Sequence, residues 1–193
     1  MMRAWQTVRH GRPMDALRLN DAAAPPAPVP GTVHLEVVAA GIGLPDAFMC
    51  HGSYALTPPK LPFTQGQECV GRVLGWGAGV ENRRPADRVM AVTSFFTGDG
   101  AFAEQCLGLD DFCLPVPDDM TDVEAAGFLI PFHTAMIALE TRGRVGRGET
   151  ASSKRRSGGL RSPPAGPGAT RLGWRPRQAR PRRRRARDGP GRR

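Results

Sequence analysis

The chain has 193 residues with 27 Lys+Arg against 18 Asp+Glu, a formal net charge of +9. Residues 1–150 hold 12 Lys+Arg and 17 Asp+Glu, a balance of −5, whereas residues 151–193 hold 15 and 1, a balance of +14, so the basic character belongs to the tail alone. No apolar run approaches the ~18 residues of a membrane span, and Cys50, Cys69, Cys106 and Cys113 contain no C-x-x-C pair, which argues against a zinc knuckle or a disulfide framework.

The start, Met1-Met2-Arg3-Ala4-Trp5-Gln6, lacks the apolar stretch of about 7–15 residues that marks a secretory signal, so a cytoplasmic location with no membrane partner is expected. After Trp5 the chain reads as short extended segments. Ala22-Ala23-Ala24-Pro25-Pro26-Ala27-Pro28-Val29-Pro30-Gly31 is a loop, because proline forbids both a helix interior and a central strand. In Thr32-Val33-His34-Leu35-Glu36-Val37 the apolar side chains alternate with polar ones, the period of a half-buried strand. Further strands are expected at Cys69 to Leu74, Arg88 to Val92 and Phe102 to Leu107. Gly75-Trp76-Gly77-Ala78-Gly79 mimics a phosphate-binding loop, but Asn82, Arg83, Arg84 and Pro85 follow in place of a helix, so it reads as a turn between strands. Such spacing predicts a closed or partly closed antiparallel barrel.

Thr121-Asp122-Val123-Glu124 is a T-x-x-E capping box that predicts a helix starting near Asp122, interrupted at Pro131. A second helical run through Thr134-Ala135-Met136-Ile137-Ala138-Leu139-Glu140 is expected to end before Gly143. The tail, residues 151–193, offers only Leu160, Leu172 and Trp174 as large apolar side chains and is expected to be disordered.

Several segments, in order, resemble the N-terminal domain of medium-chain dehydrogenases and reductases of the zinc-independent quinone oxidoreductase type. They include Pro30-Gly31-Thr32-Val33, Ala40-Gly41-Ile42-Gly43-Leu44-Pro45-Asp46, Gly52-Ser53-Tyr54, Pro62-Phe63-Thr64-Gln65-Gly66-Gln67-Glu68-Cys69-Val70-Gly71, Asp87-Arg88-Val89, Gly100-Ala101-Phe102-Ala103-Glu104, Leu114-Pro115-Val116-Pro117 and Thr134-Ala135. The resemblance implies a mainly β fold: a GroES-like catalytic barrel over residues 1–121, the helical start of a Rossmann domain over 122–150, and the tail from 151.

The same resemblance implies hydride transfer from NADPH to a quinone or enone. Where zinc-bearing relatives carry a Cys and a His, this chain has Gly43 and Gln67; glycine has no ligand atom and an amide is a poor donor, so no metal is expected. Cys50, His51, Glu68 and Cys69 form an alternative ligand set, though neither pair has zinc-module spacing. Quinone reductases usually carry an Asn at the position of Gly43, a polar contact this chain lacks. By motif position, Tyr54 and Asp46 face the substrate cleft as catalytic groups and Thr134 holds the cofactor's carboxamide. The alternative is that Asp46 caps a short helix, Tyr54 packs on the barrel rim and Thr134 caps the helix after Pro131.

Relatives continue past the match to Gly148-Glu149-Thr150 with a buried strand and a glycine-rich turn that grips pyrophosphate. Here the chain runs on as Ala151-Ser152-Ser153-Lys154-Arg155-Arg156, and 32 of its last 43 residues are Arg, Gly, Pro or Ala, types whose codons begin with two G or C bases. The tail therefore reads as an out-of-frame product of a GC-rich gene, and the chain by itself is not expected to hold NADPH. Three states stay open: a reductase fragment inactive alone, a non-catalytic module whose basic tail binds nucleic acid or another anion, and a barrel that acts only as a dimer or with another subunit. A nucleic acid partner is not expected, since only Trp174 could stack a base among the tail's arginines.

Overall fold

The computed structural model describes residues 1–54 and 59–146. The readings made of the tail from 151 onward lie outside the described residues. The chain divides into two compact units, Met1–Ala135 and Met136–Arg193.

Among its described residues the first unit has seven strands. β1 (Met2–Thr7), β2 (Leu17–Ala22) and β4 (Phe63–Thr64) form a three-stranded antiparallel sheet with β1 in the middle, Trp5 lying opposite Leu19 and Gln6 opposite Thr64. β3 (Thr32–Gly41), β5 (Glu68–Trp76), β6 (Arg88–Thr93) and β7 (Gln105–Pro115) close into a barrel in the order β3-β5-β6-β7. Closure leaves none of these four strands with an unpaired edge, the arrangement that keeps a small sheet from pairing with other chains.

The alternation in Thr32–Val37 works as expected at Val33 and Leu35, which are fully buried in the barrel. There they meet Cys69, Val73, Val89, Ala91, Cys106 and Cys113. Beyond them the register slips between Val37 and Ala39, a bulge that ends strict alternation. β5 and β6 lie where expected, with margins of one or two residues. β7 does not: the strand begins at Gln105 and continues through Asp110-Asp111 to Pro115. The two aspartates suggest a loop, and they fall between the two ladders: β7 pairs with β3 through Gln105–Leu109 and with β6 at Gly108 and Cys113–Pro115, so one strand spans both edges of the barrel's closure. Of the turn expected over Gly75–Gly79, Gly75 and Trp76 are instead the last residues of β5, opposite His34 and Val33, and the connection begins at Gly77, with Gly79 at φ +80°.

Among the described residues, the short helices α1 (Pro13–Ala16), α2 (Leu44–His51) and α3 (Asp122–Ala126) lie in this unit, and α4 (Leu129–Met136) begins in it. The capping box forms as expected: the Thr121 hydroxyl accepts the Glu124 amide, and the Glu124 carboxylate accepts the Thr121 amide at 2.9 Å. The interruption expected at Pro131 falls instead at Gly127. Pro131 is the third residue of α4, a first-turn position where a missing N–H costs no intrahelical bond. Ala125, Ala126 and Leu129 bury against Val70, Met90 and Val116, so α3 and the start of α4 pack on the outer face of β5 and β6.

In the second unit, Ile137–Arg142 is one π-helical turn, closed where the Gly143 amide donates to Ala138 O at 2.7 Å. The helical run thus stops at Gly143, as expected. No helix among the described residues is long and apolar enough to cross a membrane.

Candidate functional site

Strand β3 ends at Gly41, and the turn Ile42-Gly43 leads into α2. Pro45 falls in the first turn, where its fixed φ suits a helix start, and Asp46 reaches back so that its Oδ2 accepts the Gly43 amide at 2.8 Å. Asp46 thus does what the alternative reading assigned to it: it caps a short helix. It is only 6% exposed, and its Oδ1 has no hydrogen-bond partner. Burial pushes the carboxyl above its ordinary range, opposed in part by the amides of Gly43 and Gln67.

Helix α2 stops at Gly52, whose left-handed φ of +70° lets its amide turn back to Met49 and Phe48. Tyr54 follows two residues later. Its ring packs on the cluster of Met49, Phe63 and Phe95, edge-on to Phe95 with centroids 6.2 Å apart. Asp46 thus lies in the first turn of α2, a helix about 12 Å long, and Tyr54 lies just beyond its last turn.

The segment Gln65-Gly66-Gln67-Glu68 runs from β4 into β5 beneath α2 and is buried throughout. The Gln65 amide nitrogen donates to the Thr7 hydroxyl and to Cys50 Sγ, and Gln67 donates to Met49 Sδ at 3.5 Å. Glu68 turns the other way. Its Oε2 accepts the Ile130 amide, the second residue of α4, at 2.9 Å. Burial raises this carboxyl too, with the Ile130 amide opposing and the nearby Asp46 charge adding to the rise.

Helix α4 carries Thr134. The side chain is exposed, and its hydroxyl donates to Ile130 O at 2.7 Å. This bond lies within the helix and is not a cap. The hydroxyl proton is spent, but the oxygen keeps lone pairs that face outward from the helix.

The alternative metal set does not converge. Cys50 takes the Gln65 amide, Glu68 takes Ile130, Cys69 Sγ lies 3.8 Å from Cys106 Sγ, and His51 is exposed. Sequence reasoning weighed Glu68 only as a metal ligand and passed over Gln65 and Phe95. The Gln-Gly-Gln-Glu run, four residues of polar or small character preceding an apolar strand, was the signal that could have drawn attention to the first two.

Residues 29–118 match the family described as "Alcohol dehydrogenase GroES-like domain". Mouse quinone oxidoreductase-like protein 2 is 36% identical over 126 residues, 65% of this chain and 35% of that protein. Rat quinone oxidoreductase is 31% identical over 160 residues, 83% of this chain and 47% of that protein. Among solved structures, a mycobacterial protein complexed with NADPH superposes with a TM-score of 0.65 at 29% identity, covering 77% of this chain and 44% of that one. The chain thus spans less than half the length of these relatives.

Proposed function

Given that the chain belongs to the quinone oxidoreductase-like medium-chain dehydrogenases and reductases, with a GroES-like barrel as its fold, we propose that it forms the substrate-facing part of an NADPH-dependent quinone or enone reductase and does not turn over by itself. The reading rests on Thr134. Its proton is committed to Ile130 and its oxygen is exposed, so it is set to accept an amide N–H, the group a nicotinamide carboxamide offers.

When bound, NADPH supplies the hydride. The residues of this chain supply orientation. Tyr54, its ring fixed against Phe95, keeps its hydroxyl for donation to a quinone carbonyl or a ribose hydroxyl. Asp46 acts through α2: its carboxylate holds the first turn and so places the segment that ends at Tyr54. The described residues fit the nicotinamide end of the cofactor and not its phosphates. A glycine-bearing turn does lead from β3 into α2, but the Asp46 carboxylate already occupies that helix start and would repel a second anion.

The test uses the purified chain with NADPH and 1,4-naphthoquinone. Saturable quinone binding without NADPH consumption is the expected result. Turnover that saturates at micromolar NADPH would overturn the claim of inactivity, and absence of quinone binding would overturn the substrate-facing role.

A second reading follows from the +14 balance of residues 151–193: a non-catalytic module in which clustered guanidinium groups bind nucleic acid. Duplex DNA binding that weakens steeply between 50 and 200 mM salt (roughly the range over which counterion release is read) would favour it.

A further inference from the structure

Glu68, Ile130 and Thr134 form one hydrogen-bonded line. The Ile130 peptide is gripped at both ends: its N–H donates to Glu68 Oε2 at 2.9 Å, and its carbonyl accepts the Thr134 hydroxyl at 2.7 Å. Glu68 is 8% exposed and stands at the first position of β5, opposite Gly41 at the last position of β3.

Gly41 shows how tightly the junction is set. A Cβ there would lie 2.5 Å from Ala126 O and 2.8 Å from Glu68 Cγ, so the glycine lets the end of β3, the start of β5 and the end of α3 meet around one carboxylate. A carboxylate at this place also satisfies an orphan amide at the helix start and complements the helix dipole. A cap needed only for stability could come from a neighbouring Ser or Asp on the preceding turn, as Thr121 provides for α3. For α4 the acceptor comes instead from 62 residues away, out of the barrel wall.

We propose that Glu68 is a positioning residue for Thr134: by holding the Ile130 peptide it fixes where α4 presents the Thr134 hydroxyl relative to the barrel. The proposal rests on the reading of Thr134 as the carboxamide holder. Glu68 itself touches neither substrate nor cofactor; it acts through the peptide between.

The test uses the full chain, reduced nicotinamide mononucleotide as the probe, and amide exchange read by NMR. Glu68→Gln keeps an acceptor oxygen, so its probe affinity and Ile130 exchange should stay within about twofold of the parent. Glu68→Ala should weaken probe binding at least fivefold and speed Ile130 exchange at least tenfold, with Val33 and Val89 in the barrel unchanged. Where Glu68→Ala fails to fold, Glu68→Asp serves, because a side chain shorter by one methylene does not reach Ile130. Equal probe binding in Glu68→Ala, or exchange accelerated uniformly across the barrel, overturns the proposal. If the parent shows no probe-induced shift at Thr134, the carboxamide reading falls, and the exchange arm decides on Glu68: local acceleration supports it, uniform acceleration overturns it.

Discussion

The ring of Tyr54 meets Phe95 edge-on, with centroids 6.2 Å apart and planes at 72°. Phe95 is buried, so the contact fixes the tyrosine by its apolar body, and the hydroxyl is not needed for the packing. The two parts of the side chain can then be separated by mutation. Tyr54→Phe should leave urea stability within about 0.5 kcal/mol but weaken 1,4-naphthoquinone binding about fivefold, the worth of one hydrogen bond. Tyr54→Ala should cost about 1–2 kcal/mol of stability as well. Unchanged quinone affinity in Tyr54→Phe would show that the hydroxyl faces only solvent.

Asp46 and Glu68 both have carboxyl groups raised by burial. Between the ordinary carboxyl range and their folded values, the native state holds protons that the unfolded chain has already released. Stability from these groups therefore falls as pH rises above about 4. Glu104 and Glu124, lowered by hydrogen bonds from Arg3 and Thr121, act in the opposite sense and lose their contribution as pH falls through their folded values. Asp46→Asn isolates one component. Its unfolding free energy, measured in urea from pH 4.5 to 7.5, should decline less with pH than that of the parent. Parallel curves would show that the Asp46 carboxyl titrates alike in both states.

Cys69 and Cys106 face each other across the barrel interior, and Cys113 lies in the same core. The hydrogen bond with Cys69, followed by burial, raises the Cys106 thiol well above its ordinary value; burial pushes Cys113 up to about 11. All four cysteines are free and buried, and only the thiolate attacks disulfide reagents. The native chain should therefore give no reaction with Ellman's reagent at pH 8, and all four thiols should react in guanidinium chloride. Rapid modification of Cys69, Cys106 or Cys113 in the native chain would contradict the closed barrel.

What could be read in advance follows how far apart the cooperating residues lie. Thr121 and Glu124 cooperate across three residues, so their capping box was visible in the sequence, as was the alternation that buries Val33 and Leu35. Strand β1 was not, because its inward positions are Met2, Ala4 and Thr7, a weak hydrophobic signal that acquires meaning only when β2 and β4 pair with it. Helix α2 was legible only through Asp46 as a candidate cap: eight residues carry too little periodicity to give its length. Of the proposed site, Asp46, Tyr54 and Thr134 were singled out by motif position. The link from Glu68 to Ile130 was not, since its partners are 62 residues apart and one of them is a backbone amide.

Gly75, next to last in β5, and Gly77, the first residue past the strand, give a sharper test of the reading of this run as a strand connection. A Cβ on Gly77 would overlap the carbonyl of Val29, so the chain after β5 passes directly against the loop before β3. Backbone has little freedom to yield, and Gly77→Ala should cost about 3 kcal/mol, at the upper end of overpacking penalties. A Cβ on Gly75 meets nothing within 4 Å, and its φ is not in the left-handed region. Gly75→Ala should therefore stay within about 0.5 kcal/mol of the parent, with any gain coming from reduced entropy of the unfolded chain. A phosphate-cradling loop would instead be sensitive to side chains along its whole length, because every amide must approach the ligand. Equal effects of the two substitutions on urea stability would therefore contradict the turn and the close passage at Val29 that defines it.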